Sequence, residues 1–249
     1  MHDIKLVILD MAGTTVQDNR EVEECFYQAA ARTGLKADRQ RINAMHGVPK
    51  RIVIETFWKE AIGEDHPDFR GNVEQTFAAF REMLEEHYRT QPVVPTEGAL
   101  ALFVWLKARG IKIALNTGFY REVVNIILNR LGWDKGLDEN YIGHRNSVID
   151  LSLTPTETGG KGRPGPDLVL RSMEIFGITD PKQVAKVGDT PSDLLEGKAA
   201  GIGLNLAVVN GSHTREELEI YENDGLLNNV GELRNYLDTG LELVLEEEE

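Results

Sequence analysis

The sequence predicts an α/β fold: a doubly wound parallel sheet with an all-helical segment inserted after the first strand. Short apolar runs suited to buried strands occur at 5–9, 111–115, 184–187 and 204–209. Segments of helical periodicity lie between or after them, near 97–109, 120–131, 165–176 and 191–200. This alternation is typical of βαβ units. The inserted segment differs, because it has amphipathic patterns near 21–33, 39–46, 50–62 and 69–90 and no strand pattern.

Two candidate hinges bound the inserted helices. The first is the polar Gln17-Asp18-Asn19, and the second is Pro92-Val93-Val94-Pro95, where proline fixes φ and disfavours helix. We therefore expect a core domain formed by residues 1–16 and 93–249, and a helical cap domain formed by residues 17–92.

Two further stretches carry weaker patterns. Residues 141–163 contain Thr154-Pro155 and a glycine-rich run, and they fit either a loop or a pair of strands. The final residues 245–249 are expected to form a solvated acidic tail, to which we assign no chemistry.

The net charge restricts the classes of partner. The chain of 249 residues has 41 acidic and 27 basic side chains, which gives a formal net charge of -14. Such a field repels nucleic acid and anionic membrane surfaces, so we expect neither as a partner. A small anionic substrate remains compatible, because a bound cation can reverse the potential locally.

Cys25 is the only cysteine, and neither a secretory signal nor a membrane-spanning run is present, so we expect a cytoplasmic protein.

Four short motifs follow predicted strands or open helices, at the edge where ligand sites gather in parallel sheets. They are Asp10-Met11-Ala12-Gly13-Thr14-Thr15, Asn116-Thr117-Gly118-Phe119, Gly162-Arg163-Pro164 and Gly188-Asp189-Thr190-Pro191-Ser192-Asp193. Taken singly each is weak, because Asp or Thr after a strand is commonly a helix N-cap, and Gly-Arg-Pro is commonly a turn. Their occurrence together, in this order, favours a catalytic site.

In these motifs the sequence resembles the haloacid dehalogenase superfamily, and the resemblance extends over essentially the whole chain. It implies a Rossmann-like core in which Asp10 attacks phosphorus and becomes an aspartyl phosphate. It also implies a Mg²⁺ ion held by the carboxylates of Asp10 and Asp189 and by the Ala12 carbonyl. Asp193 would hold the water shell of the metal or orient a basic group.

The resemblance also implies which groups bind the transferring phosphoryl group. Thr117 would supply a hydroxyl and Gly118 an amide, and Gly13 and Thr14 are expected to contribute to substrate binding. Arg163 stands where most of the superfamily has lysine, and would neutralise both the nucleophile and the phosphoryl charge.

Ala12 indicates the branch of the superfamily. Most of its phosphatases have a second aspartate at this position, two residues after the nucleophile, as general acid and base. The pattern Asp-x-Ala-Gly-Thr is typical instead of phosphonoacetaldehyde hydrolases and their phosphonatase-like relatives. Arg163 and the pattern Thr117-Gly118-x-x-Arg121 indicate the same subgroup.

Lys50 is the candidate for a second covalent role. Cleavage of a carbon–phosphorus bond needs an electron sink, and in this subgroup a cap lysine in a Met-Gly-x-x-Lys pattern forms a Schiff base with the aldehyde. The corresponding residues here are His46-Gly47-Val48-Pro49-Lys50. An alternative is that Lys50 belongs to the solvated first turn of a helix. Three departures leave the substrate open: the histidine, aromatic hydroxyl and cysteine of the subgroup are Val53, Phe119 and Arg20 here.

Three functions therefore stay open. The leading one is a magnesium-dependent, phosphonatase-like hydrolase of a small phosphonate or phosphorylated metabolite. The second is an ordinary phosphomonoesterase or pyrophosphatase without a Schiff base, for which a leaving group of low pKa makes the missing aspartate tolerable. The third is a catalytically inactive protein that binds a phosphorylated metabolite. A homodimer is an open alternative to a monomer.

Overall fold

The computed structural model describes residues 3–45 and 47–238. Its central sheet has six parallel strands in the order β3-β2-β1-β4-β5-β6. This order confirms the predicted doubly wound α/β fold and places the switch point of the topology between β1 and β4. The strands are β1 (Leu6–Leu9), β2 (Lys112–Asn116), β3 (Leu151–Leu153), β4 (Val184–Gly188), β5 (Leu204–Val208) and β6 (Gly225–Leu227).

Strand β1 shows why an uninterrupted apolar run forms a central strand. Val7 and Leu9 pack into one hydrophobic cluster, and Leu6 and Ile8 pack into another on the opposite face of the sheet. All four side chains are fully buried, and each burial stabilises the fold by roughly 1.5–3 kcal/mol. The strand is thereby fixed at the centre of the sheet, with the residue that follows it at the carboxyl edge.

The helices of the core begin and end within two residues of the predicted bounds. Strand β6 and several short helices were not predicted. The predicted helices are α5 (Ala99–Ala108), α6 (Arg121–Leu131), α7 (Asp167–Phe176) and α8 (Pro191–Ala200). The additional ones are α9 (Arg215–Leu218) and α10 (Leu233–Asp238), and three short 3-10 helices lie at Pro155–Thr158, Pro181–Gln183 and Val230–Glu232.

The described residues of the inserted segment are helical, as predicted. The phenyl ring of Phe26 packs against Phe57 and Phe80, at centroid distances of 6.0 and 5.9 Å. A single cluster of buried side chains contains both Phe26 and Leu9 of β1, so apolar packing is continuous between insert and sheet. The division into core and cap at residues 17 and 92 therefore stays a prediction. The helices are α1 (Glu21–Thr33), α2 (Arg39–Ala44), α3 (Lys50–Ile62) and α4 (Phe69–Thr90).

The stretch 141–163 combines the two predicted alternatives. It contains the edge strand β3, and Ile142 forms an antiparallel bridge to Leu151. The remainder is loop and a 3-10 helix. The acidic tail at 245–249 and His46 lie outside the described residues. Within residues 3–45 and 47–238, no helix has the length and apolar character that crossing a membrane requires.

Candidate active site

Two neighbouring strands each end in an aspartate at the switch point of the sheet. Asp10 follows β1 and Asp189 follows β4, and the backbone N–H of Asp10 donates to the Val187 carbonyl at 3.0 Å. Asp193 lies in the first turn of α8. All three carboxylates are buried, and one oxygen from each lies within 4.8 Å of the others. The structure therefore brings together the three aspartates that the sequence placed at this edge.

The loop after Asp10 turns back tightly against Asp189. Gly13 has φ +85°, and a Cβ atom there would lie 2.2 Å from Asp189 Oδ2, so that only glycine fits. The hydroxyl of Thr14 donates to Asp189 Oδ1 at 3.5 Å, and that of Thr15 donates to the Asp10 carbonyl at 2.8 Å. Gly13 and Thr14 thus lie against a carboxylate, and their role in substrate binding stays a prediction.

Arg163 joins three carboxylates in the interior. Its guanidinium lies 2.7 Å from Asp10 Oδ1, 2.9 Å from Asp193 Oδ1 and 3.1 Å from Glu196 Oε2. The side chain is 2% exposed. Burial alone would lower the pKa of Arg163, but the three carboxylates together raise it. The arginine therefore stays charged and distributes its donors over three anions, one of which is the Asp10 carboxylate.

Lys186 is a functional candidate that the sequence analysis missed. It lies in the middle of β4 with no exposed surface, and its Nζ lies 3.0 Å from Asp193 Oδ1 and 2.8 Å from Glu196 Oε2. The same amine donates to Asn116 Oδ1 at 3.3 Å. The sequence offered one signal for Lys186: it is a lysine in an otherwise apolar strand that is buried on both faces. A charge in that position requires a buried partner of opposite charge.

The buried cluster has an excess of negative charge. Four carboxylates, those of Asp10, Asp189, Asp193 and Glu196, meet two cations, those of Arg163 and Lys186, which leaves two unbalanced negative charges.

The pKa values of the aspartates reflect this excess. Burial, and then the neighbouring carboxylates, raises the pKa of Asp189 to about 7. Burial also raises the pKa of Asp10 to about 6, against the opposing effect of Arg163. Burial acts in the same direction on Asp193, but Arg163 and Lys186 outweigh it and lower the pKa of Asp193 to about 2. A divalent cation would relieve the repulsion between Asp10 and Asp189.

The donor set fits Mg²⁺. Carboxylate oxygens of Asp10 and Asp189, with the backbone carbonyl of Ala12 in the same loop, are the hard ligands that this ion prefers. Ser212, which the sequence analysis missed, fixes the second carboxylate: its N–H and hydroxyl donate to Asp189 Oδ2 at 2.7 and 2.6 Å. Oriented ligands of this kind hold a metal more tightly than mobile ones.

Six of the predicted site residues line one cavity between the sheet edge and the start of α3. Its volume is about 20 Å³, which is little more than the space that a single water molecule needs. The six residues are Asp10, Ala12, Lys50, Thr117, Gly118 and Arg163, and they are joined by Gly47, Val48, Phe119 and Thr190.

Lys50 is the first residue of α3 and is 7% exposed. Its burial is inconsistent with the alternative of a solvated first turn. The amine donates to the Val48 carbonyl at 3.4 Å. Burial lowers the pKa of Lys50 to about 8, although Asp18 and Asp10 act in the opposite direction.

Two glycines permit the loop that carries Lys50 to approach the core. A Cβ on Gly118 would lie 2.4 Å from the carbonyl oxygen of Gly47. A Cβ on Gly47, which has φ +80°, would lie 2.6 Å from the hydroxyl oxygen of Thr190. The backbone contact between Gly47 and Gly118 thus closes the cavity over the strand edge.

Thr117 and Arg121, which belong to one sequence pattern, have different surroundings in the structure. Thr117 is buried on the cavity wall, and its hydroxyl oxygen accepts a hydrogen bond from the Phe119 N–H at 3.2 Å. Arg121 points elsewhere: it donates to the Ser152 carbonyl at 2.9 Å and pairs with Glu157 at 2.7 Å. Arg121 therefore ties α6 to β3 and the adjoining 3-10 helix and does not line the cavity.

Comparison with known proteins agrees with this geometry. A family model described as a haloacid dehalogenase-like hydrolase matches residues 4–201. Phosphonoacetaldehyde hydrolase of Latilactobacillus sakei is 30% identical over 210 residues, which cover 81% of this chain and 74% of that protein. The enzyme of the same name from a Bacillus cereus strain is 28% identical over 263 residues, which cover 98% of this chain and 92% of that protein.

Solved structures share the fold at lower identity. A phosphonoacetaldehyde hydrolase-like protein from Oleispira antarctica superposes with a TM-score of 0.74 at 17% identity, covering 94% of this chain and 91% of that one. A hydrolase from Pseudomonas syringae gives 0.73 at 19% identity, covering 94% and 98%. Because the family model spans most of the chain and its motifs converge on one buried site, the chain belongs to the haloacid dehalogenase-like hydrolases and resembles their phosphonoacetaldehyde hydrolase branch.

Proposed function

We propose that the chain is a magnesium-dependent, phosphonatase-like hydrolase. It would cleave a small phosphono-carbonyl compound through an aspartyl phosphate on Asp10 and a Schiff base on Lys50. The observation that carries the proposal is that the buried Lys50 amine and the Asp10 carboxylate line the same cavity. A carboxylate nucleophile and an amine nucleophile in one cavity suit a substrate that carries phosphorus and a carbonyl close together.

In this proposal Asp10 attacks phosphorus. With a pKa of about 6 its carboxyl group is mostly ionised at neutral pH, and Arg163 at 2.7 Å holds it in place. Thr117 and Gly118 supply donors to the phosphoryl oxygens. Mg²⁺ held by Asp10, Ala12 and Asp189 would supply the positive charge that lets two anions approach each other.

Two further carboxylates keep the charged groups in position. Asp193 lies 2.9 Å from Arg163 and 3.0 Å from Lys186, and these contacts support the proposal that it orients basic groups. Glu196 contacts the same two cations. We propose that Gly13 and Thr14 act by holding Asp189 and not through direct contact with the substrate.

Lys50 would supply the electron sink. Its neutral amine adds to the carbonyl carbon, which is separated from phosphorus by one carbon, and water leaves to form the iminium. The electron pair of the carbon–phosphorus bond then moves into an enamine as the phosphoryl group passes to Asp10. Protonation of the enamine, hydrolysis of the imine and attack of water on the aspartyl phosphate complete the cycle. The leaving group is a carbon, so no acid is needed to protonate an alkoxide, and alanine at position 12 is compatible with this reaction.

We also propose that residues 17–92 act as a cap. The closed cavity of about 20 Å³ cannot admit a substrate, so the loop that carries Gly47 and Lys50 has to separate from Gly118. The two segments that join insert and core, at 17–19 and 92–95, are the places where such a movement would occur. Closure then excludes water from the reaction.

Phosphate release with two substrates tests the proposal. We expect wild-type protein with Mg²⁺ to release phosphate from phosphonoacetaldehyde, and Lys50→Ala to lose at least about a thousand-fold of that rate. Hydrolysis of p-nitrophenyl phosphate, which needs no imine, should change little. Hydrolysis of p-nitrophenyl phosphate or pyrophosphate at equal rates by wild type and Lys50→Ala, with no phosphate released from phosphonoacetaldehyde by either, would favour an ordinary phosphomonoesterase or pyrophosphatase.

A further inference from the structure

A second cavity adjoins the one that Asp10 and Lys50 line, which we call the reaction cavity. Its volume is about 180 Å³, and it shares Lys50, Gly118 and Phe119 with the reaction cavity. The remaining walls come from the start of α3, from α4 and from the segment after β3. The two cavities therefore lie next to each other, with Lys50 and the neighbouring Gly118-Phe119 in the wall of both.

The walls of this second cavity are mainly carbon. They include Pro49, Ile52, Phe77, Phe119, Tyr120 and Pro155. The rings of Phe77 and Tyr120 meet edge to face, with centroids 5.9 Å apart and planes at 74°. Such a pair forms a stiff apolar surface.

The polar groups on these walls already have partners elsewhere. The hydroxyl of Tyr120 donates to Glu85 Oε1 at 3.1 Å. The guanidinium of Arg51 binds Glu74, and it lies 3.3 Å from Glu55. A ligand in this cavity therefore meets mainly apolar surface, and Lys50 is among the residues that line it.

The size indicates what fits. An apolar cavity of about 150 Å³ is large enough to bind benzene. A cavity of about 180 Å³ accepts one aromatic ring or a short branched alkyl group. With an aldehyde substrate this space would face only a hydrogen atom on the carbonyl carbon.

We propose that this cavity binds an apolar substituent on the carbonyl carbon, so that the substrate is a β-keto phosphonate with an aryl or branched alkyl group. The inference rests on the proposed function, because it takes Lys50 as the group that holds the carbonyl. Phosphorus at Asp10 and the carbonyl carbon at Lys50 direct the rest of the molecule into the second cavity. The amine condenses with the ketone and releases water, and the electron pair of the carbon–phosphorus bond moves into an enamine as the phosphoryl group passes to Asp10. Protonation of the enamine carbon and hydrolysis of the resulting ketimine release a methyl ketone, and water hydrolyses the aspartyl phosphate.

Binding of two inert phosphonates tests the cavity without any reaction. Ethylphosphonate and 2-phenylethylphosphonate both lack a carbonyl, and only the second reaches beyond Lys50. We expect 2-phenylethylphosphonate to bind the Mg²⁺-loaded protein about 10- to 100-fold more tightly, as burial of one ring predicts. Isothermal titration gives both dissociation constants.

Two variants in the wall of the second cavity distinguish binding in that cavity from binding of the phosphonate group. Ile52 is 40% exposed at the mouth and Thr156 is exposed on the opposite wall, so substitutions at either position should leave the fold intact. Ile52→Asp and Thr156→Trp should each remove most of the preference for the phenyl compound, with ethylphosphonate binding unchanged. Thr156→Ser is the matched control. Equal affinities of wild-type protein for the two phosphonates would overturn the proposal.

Turnover distinguishes this inference from the proposed function. We expect phenacylphosphonate to be cleaved with a higher kcat/KM than phosphonoacetaldehyde, and Thr156→Trp to reverse that order. Cleavage of the aldehyde alone would overturn the ketone assignment and leave the proposed function intact. A preference for the phenyl ligand without cleavage of either carbonyl compound would overturn the proposed function and, with it, the keto phosphonate as substrate.

Discussion

The reaction cavity lies between two buried regions of opposite electrostatic character, which we call its two halves. On one side, Asp10 and three further carboxylates meet Arg163 and Lys186. On the other, the Lys50 amine donates to a backbone carbonyl, and burial lowers its pKa to about 8. Loss of water penalises a charge in both places, but Asp10 has a cation at 2.7 Å, whereas the hydrogen-bond partner of the Lys50 amine is a neutral carbonyl at 3.4 Å.

The two environments favour different protonation states of the two nucleophiles. Pairing keeps Asp10 mostly ionised at neutral pH, whereas burial of Lys50 raises its neutral fraction at neutral pH from a trace to about a tenth. One enclosed site can therefore hold an anionic oxygen nucleophile and an uncharged nitrogen nucleophile together. The predictions below alter one half at a time.

Removal of the carboxylate nucleophile should have the largest effect. We expect Asp10→Asn to lower phosphate release from every substrate by about 10⁴- to 10⁶-fold, since loss of a nucleophile has effects of this size. Stability to urea should not fall in parallel, because the amide still accepts from Arg163. Phosphate release no greater than the background rate, and equal in wild type and Asp10→Asn, would remove Asp10 as nucleophile and favour the inactive binding protein.

Loss of the buried amine of Lys186 should unbalance the charged half. Lys186→Met leaves Asp193 and Glu196 without a cation that lies within 3.0 Å of both. We expect the free energy of unfolding to fall by about 3–5 kcal/mol. Urea denaturation measures it, with Lys198→Met as the control, because Lys198 is on the next helix, exposed and paired with Glu222. An equally small loss in both variants would show that the cluster does not need this cation.

Ser212 tests how the metal ligand is held. Ser212→Ala removes one of the two hydrogen bonds to Asp189 Oδ2 and keeps the backbone one. We expect the dissociation constant for Mg²⁺ to rise about 10-fold, at the low end of what loss of a group that orients a ligand usually causes. Titration calorimetry with Mg²⁺ checks this, and Ser212→Thr should retain wild-type affinity. Equal affinities for wild type and Ser212→Ala would contradict the orientation of Asp189 by the hydroxyl.

The pH dependence tests the uncharged half. A pKa of about 8 means that the neutral amine of Lys50 increases about five-fold from pH 7 to pH 8 and levels off above pH 9. Activity on phosphonoacetaldehyde should rise in the same way, because only the neutral amine attacks the carbonyl. Asp18 and Asp10 favour the charged amine and Arg163 disfavours it, so Arg163→Lys should change the midpoint little. A rate that is flat from pH 7 to pH 9 would contradict the role of the free amine.

The sequence predicted the parts of the fold that depend on local patterns. Strands β1, β2, β4 and β5 are buried runs, and the longer helices have clear periodicity, so both were found with bounds close to the observed ones. Strands β3 and β6 have three residues each, which is too short for a hydrophobic period to appear. They are defined by pairing to their neighbours in the sheet.

The residues of the candidate site also fall into two groups, those that the sequence predicted and those that it did not. Asp10, Thr117, Arg163 and Asp189 were predicted because motifs at strand ends converge on one edge. Lys186, Glu196 and Ser212 were missed because their roles depend on contacts between distant segments. The burial of Lys50 also depends on such a contact, that of Gly47 with Gly118, and a helix N-terminus is commonly solvated.

Reductive trapping tests the central claim most directly. Wild-type protein is incubated with phosphonoacetaldehyde and sodium borohydride, digested and analysed by mass spectrometry. Lys59→Arg, an exposed lysine on the same helix, serves as a control beside Lys50→Arg. We predict loss of activity, with a reduced adduct on the peptide that contains Lys50, in wild type and in Lys59→Arg, and no adduct at position 50 in Lys50→Arg. Continued cleavage of the carbon–phosphorus bond in the presence of borohydride, with Lys50 unmodified, would contradict the account.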